Sequence, residues 1–226
     1  MKRRLRVYKK TVSIVNETAT GMYESLVGDK KGFLLESYDK NYDRYTFFGK
    51  EPEEIISSRG NALVITKNDG TQEVRNGNPL ERLKEYYSEF DIVKDNEELS
   101  FSGGLVGNLG YDFVRYAEVL PDNNPDEIGI ETVQMMLMTK FIMVDHVAET
   151  LTGIILGEDT PEGKEKSLEE AEELIRQALA NKGRASEKNF THDGVIVNQS
   201  DSLEQYSQKV EKIKEYIREG HIFQTV

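Results

Sequence analysis

The sequence predicts an α+β fold, mainly antiparallel sheets with outer helices, and three observations carry that prediction. Strand-like and helix-like stretches do not alternate in the regular order of βαβ units. VQMMLMTKFIMVDH and ETLTGIILGE follow one another with His146 to Ala148 between them and read as a hairpin. Three segments repeat apolar residues at the period of an α-helix, and each leaves a polar face for solvent.

The elements can be justified in chain order. MKRRLRVYKK carries six basic residues in ten and reads as a solvated leading segment; no apolar run follows it, as a signal peptide would require. GFLLESY, RYTFFG and NALVITK are short and rich in aromatic and β-branched residues, the composition of strands. Asn78 as cap and Pro79 at the first helical position start a helix that is expected to bury Leu80, Leu83, Tyr87 and Phe90. FSGGLVGNLGYDFVRY returns to strand character. PEGKEKSLEEAEELIRQALAN sets Leu168, Ala171, Leu174, Ile175, Ala178 and Leu179 on one stripe. The polar stretch NKGRASEKN, Asn181 to Asn189, is the linker candidate, which divides the chain into a domain over 1–185 and a second segment over 186–226. In that segment Leu203, Tyr206, Val210, Ile213 and Ile217 share a helix face, Ser202 and Gln205 form a capping box, and Gly220 supplies the stop. An apolar face of that kind suits a partner, a second copy of the chain included.

Composition removes several classes of function. Twenty-nine Lys and Arg stand against 41 Asp and Glu, a formal charge of −12, and a phosphate-binding face needs the opposite balance, so nucleic acid is not an expected partner. No run approaches the roughly 18 apolar residues of a membrane span, so a soluble protein with no membrane partner is expected. The absence of Cys removes disulfides, thiolate metal sites and cysteine nucleophiles, and fits a cytoplasmic location.

Four features invite a functional reading. Gly103, Gly104, Gly107 and Gly110 lack the Lys-Ser/Thr pair of a Walker loop and run into YDFVRY, so they are expected in a strand that something approaches closely. His146, His192 and His221 lack metal-ligand spacing or a triad partner and read as ordinary turn and surface residues. Met135, Met136, Met138 and Met143 read as core filler. GFLLESYDKNYDRYTFFG is less ordinary, because Glu36, Ser37 and Arg44 interrupt two apolar strands. Neighbouring strand residues point to opposite faces, and an unpaired buried polar group costs roughly 1–3 kcal/mol. Either Glu36 pairs with Arg44 across a hairpin, or the strand holds a small zwitterion, its ammonium near carboxylate and its carboxylate near hydroxyl or N–H donors.

FLLESYDKNYDRYTFFGKEP resembles the LLES…RYSFIG stretch of the anthranilate synthase component I family. SGGLVGNLGYDFVRYAEVLP is similar to its Gly-Gly-x-x-Gly-x-x-Gly-Tyr-Asp segment, FIMVDHVAETLTGII to its Phe-Asp-His strand pair, and DSLEQYSQKVEKIKEYIREGHIFQTV to its entry into the chorismate-binding domain. His221 replaces the usual acid, and Thr46 a common Ser. The resemblance implies the amino-terminal portion of a layered α/β/β/α chorismate-utilising fold, with the Mg²⁺ ligands and acid/base residues beyond Val226 and no catalysis by this part alone. It implies conversion of chorismate and ammonia, drawn from a glutamine amidotransferase subunit, to anthranilate and pyruvate. Related enzymes that add water carry Lys at the position of Gln224, where it can act as general base; ammonia needs none, so Gln224 favours ammonia. The resemblance also places an L-tryptophan feedback site on Leu35, Glu36 and Ser37, with Arg44 and Tyr45 from the neighbouring strand. The enzymes that make aminodeoxychorismate share much of this pattern and remain the alternative, as does a stand-alone amino-acid-binding module.

Overall fold

The computed structural model describes residues 2–15, 17–36, 44–93, 99, 101–121, 125–180 and 199–225. The chain divides into two compact units, residues 1–186 and 187–226. The first contains strands β1 (Arg3–Ser13), β2 (Gly32–Leu35), β3 (Tyr45–Lys50), β4 (Glu54–Ser58), β5 (Ala62–Lys67), β6 (Gln72–Asn76), β7 (Phe90–Val93), β8 (Gly104–Leu109), β9 (Val133–Met138), β10 (Lys140–Asp145) and β11 (Thr150–Glu158). Its helices are α1 (Ala19–Leu26), α2 (Pro79–Ser88) and α3 (Pro161–Ala178), with a 3₁₀ turn over Tyr111–Tyr116.

The strands form two sheets, ordered β2-β3-β10-β11-β1-β7 and β6-β5-β4-β9-β8. Among the described residues every pairing is antiparallel except β1 with β7, so the α+β expectation holds. Alternation along the strands then sorts the core into three clusters. Met22 and Leu26 of α1 and Ala171, Leu174 and Ile175 of α3 cover Phe48, Ile142 and Leu151 on the outer face of the first sheet. Phe33, Phe47, Phe141 and Met143 on its inner face meet Met136 and Met138 of β9. The opposite face of the second sheet, with Ile56, Leu63, Ile65 and Leu137, is closed by Leu83 and Tyr86 of α2. Helix, sheet, sheet and helix therefore follow one another in layers.

One ribbon serves both sheets. β3 pairs with β10 in the first sheet, and their chain neighbours β4 and β9 pair in the second. Only Thr139 separates β9 from β10. The register slips by one residue between the halves, with Ile142 opposite Phe48 but Leu137 opposite Glu54. The extra residue lies in the 51–53 segment, where Glu51 takes φ of 52°, the kind of accommodation a bulge requires.

Several expectations change. The basic leading segment is only partly solvated: β1 is an interior strand with Leu5 and Tyr8 buried, while Arg3, Arg4 and Lys9 stay exposed and Asp159 and Glu172 pair with Arg4, Arg6 and Lys10. VQMMLMTKFIMVDH is two strands in different sheets rather than one, while its second half does form the hairpin with β11. YDFVRY leaves the sheet as a 3₁₀ turn. In α2 the buried tyrosine is Tyr86, 2% exposed, and not Tyr87 at 57%, while Phe90 begins β7. β4, β6, β7 and α1 were not foreseen. The close approach expected at the glycines is present: a Cβ on Gly107 would stand 2.0 Å from the Gln134 carbonyl oxygen. Met138 and Met143 are buried core, as expected.

The second unit is described on its own by α4 (Leu203–Arg218). Ser202 and Gln205 form the predicted capping box, and Gly220 takes φ of 78° at the far end. None of the helix's residues is buried.

Candidate functional site

Among the described residues β2 is the edge of the first sheet, and β3 is its sole pairing strand. Leu35, the last residue of β2, lies opposite Phe47 and is 44% exposed. Tyr45 stands two residues before Phe47 and therefore on the same face. Their rings are 6.1 Å apart, and Phe47 meets Phe101 edge-on at 5.6 Å, so Leu35 ends beside an aromatic wall.

The start of β3 is anchored by the turn after β10. The Asp145 carboxylate accepts from Arg44 Nη2 at 2.9 Å and from Nε at 3.1 and 3.3 Å. Its Oδ1 also accepts the N–H groups of Val147 and Ala148, both at 3.0 Å. Asp145 is 6% exposed. The hydrogen bond from Arg44 holds its carboxyl below the usual carboxylate range against the opposing effect of burial, with the two turn N–H groups adding to the shift. Arg44 also lies over the Tyr45 ring, 4.9 Å from its centroid, in cation–π contact. His146 donates its backbone N–H to the Arg44 carbonyl at 2.9 Å, and its Nε2 lies 2.8 Å from the buried Thr46 hydroxyl.

These contacts bear on one of the two readings of the interrupted strands, the Glu36–Arg44 pair. Arg44 pairs with Asp145 and not with Glu36. Glu36 lies just past the end of β2, exposed and without a partner among the described residues. Leu35 lies opposite Phe47, Tyr45 stands on the same face of β3 and Arg44 stacks on Tyr45, while Ser37 lies outside the described residues. Gln224 belongs to the second unit, where it is exposed. His192 lies outside the described residues, and His221 is a surface residue 3.2 Å from Glu219. Sequence reasoning missed Asp145, whose partner is distant along the chain. The only signal was the VDH triplet at the end of a strand.

A cleft of about 1150 Å³ lies elsewhere, beside the point where the ribbon passes between the sheets. No residue of the β2–β3 corner lines it, and its charges include the pairs Lys30 with Glu51 at 2.7 Å and Lys140 with Glu170 at 3.0 Å. Among the described residues no group of three His, Asp or Glu side chains fits a metal ion.

Comparison with known proteins adds the family. Residues 33–226 match the model of the chorismate binding enzymes. The chain belongs to that family. This chorismate binding enzyme chain is 26% identical over 220 residues to anthranilate synthase component 1 of Acetivibrio thermocellus, covering 93% of the chain and 44% of that protein. It is 28% identical over 203 residues to anthranilate synthase component 1 of Aquifex aeolicus (strain VF5), covering 85% and 40%. A crystal structure of anthranilate synthase component I from Streptococcus pneumoniae TIGR4 superposes with a TM-score of 0.51 at 23% identity, over 90% of this chain and 44% of that one, a likeness of fold. The chain spans less than half the length of these relatives.

Proposed function

We propose that this chain is the regulatory and scaffolding part of an anthranilate synthase component I, with an L-tryptophan effector site at the end of β2. The observation that carries the reading is the pairing of Arg44 with Asp145, which leaves the Glu36 carboxylate exposed and without a partner among the described residues, just past Leu35 at the end of β2. An exposed carboxylate at the end of a strand whose last apolar residue faces aromatic rings suits an amino acid with a large apolar side chain: in this reading Glu36 takes the ammonium, Ser37 the other polar end, and Leu35 with Tyr45 flanks the indole. Arg44, neutralised by Asp145, serves as an oriented wall and not as the main anion receptor.

The proposed parent reaction adds ammonia at C2 of chorismate, with loss of the ring hydroxyl, and then eliminates pyruvate to leave anthranilate. Mg²⁺ supplies Lewis-acid polarisation of the substrate carboxylate in that chemistry, and a glutamine amidotransferase subunit supplies ammonia. Gln224, where a water-activating Lys would otherwise stand, is the one residue of this chain assigned to the reaction centre, and its role is to leave ammonia as the nucleophile. The cytoplasm is the proposed location and a homo-oligomer through α4 the proposed assembly.

The test is an assay of the full-length protein with chorismate, Mg²⁺ and an ammonium salt, followed by anthranilate fluorescence. Production that falls as L-tryptophan is added supports both the reaction and the effector. An aminated chorismate that keeps its pyruvyl group would assign the protein to aminodeoxychorismate synthesis instead. Ser37→Phe is expected to abolish tryptophan inhibition while uninhibited turnover persists, because a bulky ring there fills the site without reaching the chemistry; inhibition like that of the parent would remove Ser37 from it.

A further inference from the structure

The turn after β10 does to the start of β3 what a single ion pair could not. Asp145 is fixed first by its own turn, through the Val147 and Ala148 N–H groups at 3.0 Å. It then holds the Arg44 guanidinium through both Nε and Nη2, and Arg44 in turn lies over Tyr45. His146 grips the same strand through its backbone N–H to the Arg44 carbonyl and through its ring to the Thr46 hydroxyl. Arg44 and the first two residues of β3 are therefore held where the strand begins. Because β2 pairs with β3 alone among the described residues, the placement of Leu35 depends on β3 being held.

We propose that Asp145 and His146 are positioning residues of the effector site, which pre-order Arg44, Tyr45 and Thr46 so that L-tryptophan meets a wall already in place. The inference rests on the tryptophan-site reading above. Pre-ordering raises affinity because the ligand no longer has to freeze the strand it binds. Neither residue needs to touch the ligand, and neither belongs to the chemistry.

The experiment measures KI for L-tryptophan, kcat and the KM for chorismate in the full-length protein and in Asp145→Asn, Thr46→Val and Ser37→Phe. Asn at 145 keeps an oxygen for the turn N–H groups and removes only the charged hold on Arg44. Val at 46 keeps the strand and removes the hydroxyl that the His146 ring meets. The expected result is a rise in KI of about tenfold for Asp145→Asn, the scale of a lost charge-assisted hydrogen bond, and a smaller rise for Thr46→Val, with kcat and KM unchanged. If Asp145→Asn fails to fold, Thr46→Val carries the test alone. Unchanged KI in the folded variants, with inhibition still abolished by Ser37→Phe, would overturn the positioning role and leave the effector site standing. Absence of inhibition in the parent protein would overturn both.

Discussion

A methyl group on Gly157 would stand 1.9 Å from the Ser167 hydroxyl oxygen, so the fit of α3 onto β11 is set at the level of single atoms. Gly157→Ala is expected to cost about 1–3 kcal/mol in chemical denaturation, the usual penalty of overpacking, and addition of Ser167→Ala to recover much of it. A variant as stable as the parent would show that the helix shifts freely. Residue-scale legibility was uneven in an instructive way. Leu35, Glu36 and Ser37 stand out because two polar residues interrupt an apolar run. Asp145 does not stand out, because a carboxylate at a strand end looks like any turn residue until the fold brings β3 beside it and supplies Arg44. The expected Glu36–Arg44 pair failed for the same reason: the competing partner for Arg44 lies on another strand.

Elements with a strong internal period were legible, and elements whose pattern is set by distant neighbours were not. α3 and α4 declare themselves by apolar spacing, and α4 also by its Ser202 cap. β1 hides its alternation under Arg and Lys side chains whose partners, Asp159 and Glu172, sit beyond the far end of the chain's last strand. The break at Thr139 has no sequence signal either, since both halves of the Met-rich stretch are equally apolar and only the pairing differs. The start of α2 offers a test at this scale. The Asn78 side chain accepts the Leu80 N–H at 2.9 Å and donates to the Tyr116 carbonyl at 2.7 Å, capping the helix and tying it to the 3₁₀ turn. Asn78→Ala is expected to cost about 1–2 kcal/mol and Asn78→Asp roughly half of that, because the acid keeps the cap and loses the donor. Equal losses in the two variants would mean that the tie to Tyr116 is the whole of its effect.

Taken as a whole, the molecule is an acidic protein whose carboxylates are put to structural use. Asp145 is held below its ordinary value of 3.8 by Arg44, and Asp159 by Arg6 and then Arg4. A carboxylate with a depressed folded-state value contributes stability that is fully present above its unfolded value and is lost as the pH falls through the folded one. Thermal stability is therefore expected to hold from neutrality down to about pH 4 and to decline below it. Asp159→Asn should flatten that decline, and an identical pH profile would show that the Arg6 pair contributes nothing. The acidic balance, the absence of Cys and the mixed class of fold were all legible from composition and patterning; the stacking of the two sheets was not, since it depends on which strand pairs with which.

The ribbon of β3–β4 against β9–β10 has a kinetic meaning. A protein with two stacked sheets can in principle open one and keep the other, but here the same pair of backbones supplies ladder hydrogen bonds to both. Unzipping β4 from β9 pulls on β10 through a single intervening residue, so partial opening of the second sheet strains the first. Amide exchange in Ile55–Ser57 and in Phe47–Gly49 should accordingly be released together, at one free energy, rather than as two separate sub-global events. Distinct exchange energies for these two segments would show that the bulge at Glu51 uncouples them.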